Sequence, residues 1–307
     1  MKNVLILYYS QSGQLYDVLR NIAKPLMESA HTNVVIQPIE PIEPFNFPWK
    51  KKDFFQVFPE TFLQKSVPIK PLPDHIKNGN FDLVILGYTV WYLSPSLPIN
   101  SFLKSEDANT LLQNTPVVTV NASRNMWIMA QEKIKKLLVD ANAKLVGNIA
   151  FVDRHINHIS VITIVHWMMG GKKTRYLGVF PKPGVSDEDI NSADKFGEII
   201  KTHLESKELE TLQKQIVTAG GVLIKPFLIR SDQGGNRVFN KWSKIIYKAG
   251  QKSDKRRARL LKFFNYYLLF AIWIVVPIVF IIFLLTYLPL YGKIKRDKVY
   301  YQSVMLR

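Results

Sequence analysis

The chain has 307 residues, no cysteine and a formal net charge of +17. The missing thiols exclude a disulfide framework, thiolate metal sites and a cysteine nucleophile. The charge is lopsided: residues 220–307 hold 17 Lys and Arg against Asp232, Asp254 and Asp297, while residues 1–219 hold 24 basic and 21 acidic side chains, so any anionic partner belongs to the tail.

Val4 to Tyr9 is a short apolar, β-prone run, as a strand covered on both faces of a parallel sheet should be. No basic and apolar leader precedes it, so the main body is expected in the cytoplasm. Leu15, Val18, Leu19, Ile22 and Leu26 then recur at helical spacing, which puts Ser10-Gln11-Ser12-Gly13 at a helix N-terminus, where free N–H groups and the helix dipole favour an anion. The loop has neither the Gly-Lys-Ser/Thr ending of a P-loop nor the spaced glycines of a dinucleotide fingerprint. It resembles the phosphate loop of flavodoxins. That resemblance implies FMN with its phosphate at Ser10, Gln11, Ser12, Gly13, Gln14 and Leu15, with Leu15 standing where the family carries a hydroxyl residue.

Strands are predicted at Val4 to Tyr9, Asn33 to Pro38, Leu83 to Tyr88, Pro116 to Val120 and Leu145 to Val152, with Tyr176 to Phe180 as a candidate resumption of the last. Helices are predicted at Gln14 to Ser29, around Asp74 to Asn78, and at Ile99 to Leu112, Asn125 to Ala141 and Asp187 to Leu204. Their alternation predicts an α/β fold: a flavodoxin-like, doubly wound, five-stranded parallel sheet in the order 2-1-3-4-5, spanning residues 1–219, with insertions and a C-terminal transmembrane helix. The ligand crevice of such a sheet lies over the ends of strands one and three. Thr89, Val90, Trp91 and Tyr92 follow strand three, and Asn121, Ser123 and Arg124 follow strand four. These are the expected contacts to a flavin ring and its polar edge.

Two insertions enlarge this plan. Residues 39–73 combine seven prolines with Phe45, Phe47, Trp49, Phe54, Phe55, Phe58 and Phe62, too aromatic for a disordered linker. They are expected either to form an ordered lid that covers a greasy substrate or touches lipid, or to pack on their own domain with no ligand contact. Residues 153–174 bring His155, His158 and His166, but no metal-ligand spacing, so no metal site is expected.

Beyond residue 219, Val238, Phe239, Trp242, Ile245 and Ile246 fall at helical spacing among lysines and arginines, so residues 220–262 read as a basic amphipathic segment facing anionic membrane lipid, and its charges are not assigned to nucleic acid. Cutting the chain near Ser231 is expected to leave a soluble flavin-binding domain. Residues 263–291 contain no charge and are flanked by basic residues on both sides, which predicts a membrane segment followed by a basic tail at 292–307. Pro277 in its middle leaves two topologies, a single tilted span or a re-entrant hairpin, and the short halves favour the span.

The opening Met1 to Leu15, the loop Val90-Trp91-Tyr92-Leu93-Ser94-Pro95-Ser96-Leu97-Pro98 and the chain length together resemble bacterial dialkylresorcinol condensing enzymes. The resemblance implies a step in making dialkylresorcinol lipids, alongside a ketosynthase and an acyl carrier protein. Without cysteine to hold an acyl thioester, the expected step is the flavin-dependent aromatisation of a lipophilic dialkyl cyclohexanedione, with Tyr92, His155 or His158 as the base. An FMN-dependent NAD(P)H:quinone reductase and a cofactor-free membrane scaffold are the competing expectations.

Overall fold

The computed structural model describes residues 1–307. Five strands form one parallel sheet: β1 (Lys2–Tyr8), β2 (Thr32–Pro38), β3 (Leu83–Tyr88), β4 (Pro116–Ser123) and β5 (Lys144–Val152). Their spatial order is β2-β1-β3-β4-β5, the flavodoxin-like doubly wound order. Alternation along β1 divides its apolar side chains between two cores: Val4 and Ile6 join one cluster, Leu5 and Leu7 the other, and all four are fully buried. Helix α1 (Gln14–Met27) covers the first face, and most of α2 (Ile128–Asp140) buries its apolar side on the second.

Helix boundaries shift where local caps outcompete the apolar pattern. The segment predicted as Ile99 to Leu112 is two helices, Leu97–Leu103 and Glu106–Leu112, because Ser105 Oγ accepts from Ala108 N at 3.2 Å and starts the second. Ser186 likewise caps Asp187–Asn191, ahead of a separate helix. Residues Asn157–Gly170 form α3 and Asp194–Ser206 form α4. Tyr176 to Phe180 is not a strand: Tyr176–Gly178 is a 3-10 turn with Leu177 at φ 53°. The outer edge of β5 is met instead by Val222, bridged in parallel to Ala150. At Gly197 on α4 a Cβ would lie 2.1 Å from the Ile22 carbonyl oxygen, so α1 and α4 pack at backbone distance.

The tail does not stand apart from this body. Helix α5 (Pro226–Gly250) and the 33-residue helix α6 (Asp254–Thr286) run antiparallel: Phe264 meets Phe239 and Trp242, whereas Phe280 and Phe283 meet Phe227 at the far end. Helix α7 (Tyr291–Tyr301) then returns to the sheet domain. Val222, Ile224, Ile229, Tyr300 and Tyr301 belong to the same buried cluster as Val4, Ile6 and Val118. Backbone contacts reinforce the return, with Gln213 Nε2 donating to Gln302 O at 2.6 Å and Lys135 Nζ to Met305 O at 2.9 Å.

Two expectations are corrected here. The apolar face of α5, expected to enter a headgroup layer, presents Phe239, Trp242 and Ile246 to protein. A cut near Ser231 would remove core residues rather than an appendage. The physical reason is that the sheet domain ends in an apolar edge, which α5 and α7 cover.

Replacing Tyr301 by Ala should therefore lower the stability of the whole domain by about 3 kcal/mol, the order expected for deleting a buried aromatic ring. Chemical denaturation in detergent, followed by tryptophan fluorescence, measures it.

Candidate functional site

The crevice at the ends of β1, β3 and β4 is built from three loops. The first begins after β1, where Gly13 takes φ 85° at the N-cap of α1, and a Cβ there would meet nothing within 4 Å. A left-handed glycine with open space in front exposes the N–H groups that begin α1. Ser10 Oγ is buried without a hydrogen-bond partner, and so is Thr89 Oγ1 after β3. Buried hydroxyls rarely stay unpaired in a finished core, so two at neighbouring strand ends mark a place that a polar ligand would complete.

The other loop residues have partners of their own. Gln14 is buried and clamps Val185, accepting its N–H at 3.0 Å and donating to its carbonyl at 3.3 Å. Gln11 accepts from Trp49 Nε1 at 3.1 Å and donates to Asn46 O at 3.1 Å, stitching the loop to the first insertion. Leu15 points into the core and can offer a ligand only its backbone. Ser12 is exposed.

After β3, Val90–Trp91 and Ser94–Pro95 form a small antiparallel ribbon. Tyr92 and Leu93 turn it with φ 49° and 58°, the left-handed pair of a tight hairpin that Asn-Gly would adopt without strain. Trp91 is packed by Tyr9, Phe45 and Trp49 at centroid distances of 5.9, 5.0 and 5.4 Å. Trp49 N also donates to Met168 O at 2.7 Å, so both insertions meet above the crevice. The first insertion is thus ordered, with short helices at Lys51–Gln56 and Phe58–Phe62, and it packs on its own domain beside the crevice.

The third loop serves the fold. Asn121 is fully buried, donating to Tyr88 Oη and accepting from Ser123 Oγ at 2.9 Å; the network continues through Gln131 and Thr119 to Asn148. Arg124 donates to Asn157 Oδ1 at 2.8 Å and fastens α3, while burial lowers its pKa to about 10.

The three candidate bases are scattered, and none hydrogen bonds to another. Tyr92 Oη donates to Phe54 O at 2.6 Å, and burial drives its pKa well above that of a free phenol, so it suits a proton donor better than a base. His155 is exposed. His158 lies against α6: its Nε2 is 3.0 Å from Ile272 O, and because a carbonyl only accepts, that nitrogen carries the proton.

Sequence reasoning passed over two buried ionisable groups beside the hairpin. Lys133 Nζ donates to Ser94 Oγ at 2.6 Å and sits 3.7 Å from the Phe62 ring centroid, and burial lowers its pKa to about 7. Asp232 on α5 accepts the Ile128 and Met129 N–H groups at 2.8 and 3.4 Å, capping α2 from another helix. Burial raises its pKa to about 7 against these donors and the pull of Lys133 and Arg124. The one available signal was that Asp232 is the lone acid on a strongly basic helix. A cavity of about 1060 Å³ runs along the polar flank of α1 past Asp17, Arg20 and Lys24 and reaches the loop at Ser12 and Gln14. Its open, charged walls suit solvent, so the crevice is the better candidate site.

No family model matches this chain, and no curated protein does. Among solved structures it is similar to a putative flavoprotein from Bacteroides eggerthii (20% identity, TM-score 0.40, covering 56% of this chain and 100% of that one). It is also similar to a flavoprotein from Lactobacillus acidophilus in complex with FMN (19%, 0.39, 49% and 93%). A third is oxidised flavodoxin 1 from Bacillus cereus (12%, 0.37, 66% and 99%).

The buried pair carries a pH dependence. Asp232 has a folded pKa above its ordinary 3.8, so its contribution to stability is present below pH 3.8 and lost as pH rises through about 7. Lys133 is shifted the other way from 10.5, and its contribution is present above pH 10.5 and lost as pH falls through about 7. Asp232→Asn keeps an acceptor for α2 but cannot ionise. Its melting temperature should fall less than that of the native chain between about pH 5 and about pH 7.5, in parallel thermal melts.

Proposed function

We propose that the chain is a membrane-associated, FMN-dependent oxidoreductase acting on a lipophilic substrate. The observation that carries this reading is the pair of buried, partnerless hydroxyls, Ser10 Oγ and Thr89 Oγ1, at the ends of β1 and β3 beside the open turn at Gly13. These fit the group: Ser10, Ser12 and the first N–H groups of α1 would hold the phosphate, and Thr89 and Trp91 would line the ring's side of the crevice. FMN bound there supplies a two-electron acceptor.

The chain's own residues account for the substrate class. Tyr92 belongs to an aromatic cluster with Phe54, Phe58 and Phe239, and Phe58 stacks on Phe264 of α6 at 4.0 Å. Packed aromatic rings thus join the crevice to the most apolar helix of the molecule, so the crevice opens beside apolar surface that suits alkyl chains at about 0.8 kcal/mol for each CH₂ buried. Following the resemblance to dialkylresorcinol condensing enzymes, the substrate is a dialkyl-1,3-cyclohexanedione, which loses two hydrogens to become the resorcinol. Tyr92 would hold a proton at the ring oxygen, and the ring's lost proton would leave through a base such as Lys133, whose pKa of about 7 leaves it substantially neutral at physiological pH. A ketosynthase with its acyl carrier protein would supply the diketone.

Two measurements test this. Detergent-purified protein should retain FMN by its visible spectrum; Ser10→Ala should weaken binding about tenfold, the loss of one hydrogen bond to a charged group at about 1.5 kcal/mol, and Ser12→Glu should abolish it by charge repulsion. Mixed anaerobically with the diketone, the loaded protein should bleach and yield resorcinol without NAD(P)H. A flavin that ignores the diketone and is reduced rapidly by NAD(P)H would instead identify a quinone reductase, and a protein that never takes up FMN would identify a scaffold.

A further inference from the structure

Helix α6 is long and apolar enough to cross a membrane, yet side chains at its start, middle and end contact the rest of the chain. At its start Arg257 makes a two-pronged ion pair with Glu60, both contacts 2.8 Å, and also holds Gln56. Two turns later Phe264 is fully buried against Phe58. In its middle, Pro277 has no N–H to offer the preceding turn, the backbone widens to a π turn at Ala271–Val275, and the Ile272 carbonyl five residues before the proline is taken by His158. Near its end Phe280 and Phe283 pack on Phe227 at 4.9 and 5.5 Å. Past its end Ile294, Tyr300 and Tyr301 are buried, the two tyrosines in the sheet domain's core.

From this geometry we infer that α6 does not cross the bilayer but lies along one leaflet of an anionic membrane, with the sheet domain and the C-terminus on the same side. The inference rests on the membrane association in the proposed function and not on its flavin chemistry. Helix α5 runs beside α6 and carries Arg230, Asp232, Arg237, Lys241 and Lys244, so a crossing in this packing would drag those charges into hydrocarbon. Pulling α6 off the body would instead leave the Ile272 carbonyl unpaired in lipid. The outer face is free for the leaflet: Phe263, Phe270, Ile274, Ile281, Leu285 and Leu288 are all exposed, the last two at 77% and 81%. Exposed cations stand at both ends, Lys255, Arg256, Arg259 and Lys262 before the apolar run and Lys293, Lys295 and Arg296 after it. A crossing helix would send one of these groups to the far side against the positive-inside bias, whereas a helix lying in one leaflet places both among the same anionic headgroups.

The chain lacks cysteine, so single-cysteine variants report position without background. Lys252→Cys and Leu306→Cys place a thiol at either end of the apolar run, both at exposed positions. In spheroplasts of a bacterial host, both should sediment with membranes, resist a membrane-impermeant maleimide, and label fully once the cells are permeabilised, as a fraction of the label taken up by denatured protein. Labelling of Leu306→Cys in intact spheroplasts with Lys252→Cys still protected would show a crossing and overturn the proposal. So would recovery of the chain in the soluble fraction, where α6 faces water or a second copy. Flavin content read on the same membranes keeps the two readings apart: loss of FMN with both thiols protected defeats the cofactor assignment alone.

Discussion

The stacked rings of Phe58 and Phe264, 4.0 Å apart and 5° from parallel, hold together the parts of this molecule that a minimal doubly wound sheet would lack. Phe58 belongs to the first insertion and Phe264 to α6, and around them gather Phe62, Leu93 and Ile246, with Tyr92, Phe239 and Trp242 packed against them. Burying one large apolar side chain contributes about 2 kcal/mol, and this cluster is fed from four separate stretches of chain. It therefore decides where the insertion sits, where the hairpin after β3 points and where the apolar helix lies.

The strain at Tyr92 and Leu93 follows from that arrangement. Two consecutive non-glycine residues in the left-handed region cost of order 1–3 kcal/mol each, and the conformation persists because the surrounding contacts over-determine it. Leu93 is buried in the aromatic cluster, Trp91 under the insertion, and Ser94 beneath Lys133. The hairpin presents Tyr92 between the crevice and the aromatic cluster, where its hydroxyl donates to Phe54 O. Lys133 and Asp232 lie beside this hairpin, and burial shifts the two in opposite directions, Lys133 down and Asp232 up.

The contact between α5 and α2 shows how a polar group can set a packing geometry. The first turn of α2 has N–H groups without intrahelical partners, and Asp232 reaches them from 104 residues away. A carboxylate in that position is favoured by the helix dipole and disfavoured by its burial, which is why it titrates near neutrality instead of near 3.8.

The sequence by itself determined the sheet. The apolar runs at Val4, Leu83 and Pro116 are strands because no other conformation buries such short, β-branched segments on two faces, and the turn after Tyr9 is legible because glycine and hydroxyls there have a local physical meaning. The uncharged stretch at 263–291 was equally plain as a long apolar helix, though not what it would lie against. Tertiary structure alone decided what these elements touch. Nothing local distinguishes Ser10 and Thr89, left without partners, from Asn121 and Ser123, which satisfy each other. Lys133 reads as one more helical lysine until Ser94 and Phe62 enclose it, and Tyr300 and Tyr301 read as part of a basic tail until they enter the core. Periodicity and turn chemistry are properties of neighbours along the chain; burial, unpaired hydroxyls and shifted pKa values are properties of neighbours in space, and these became visible only when the tail folded back.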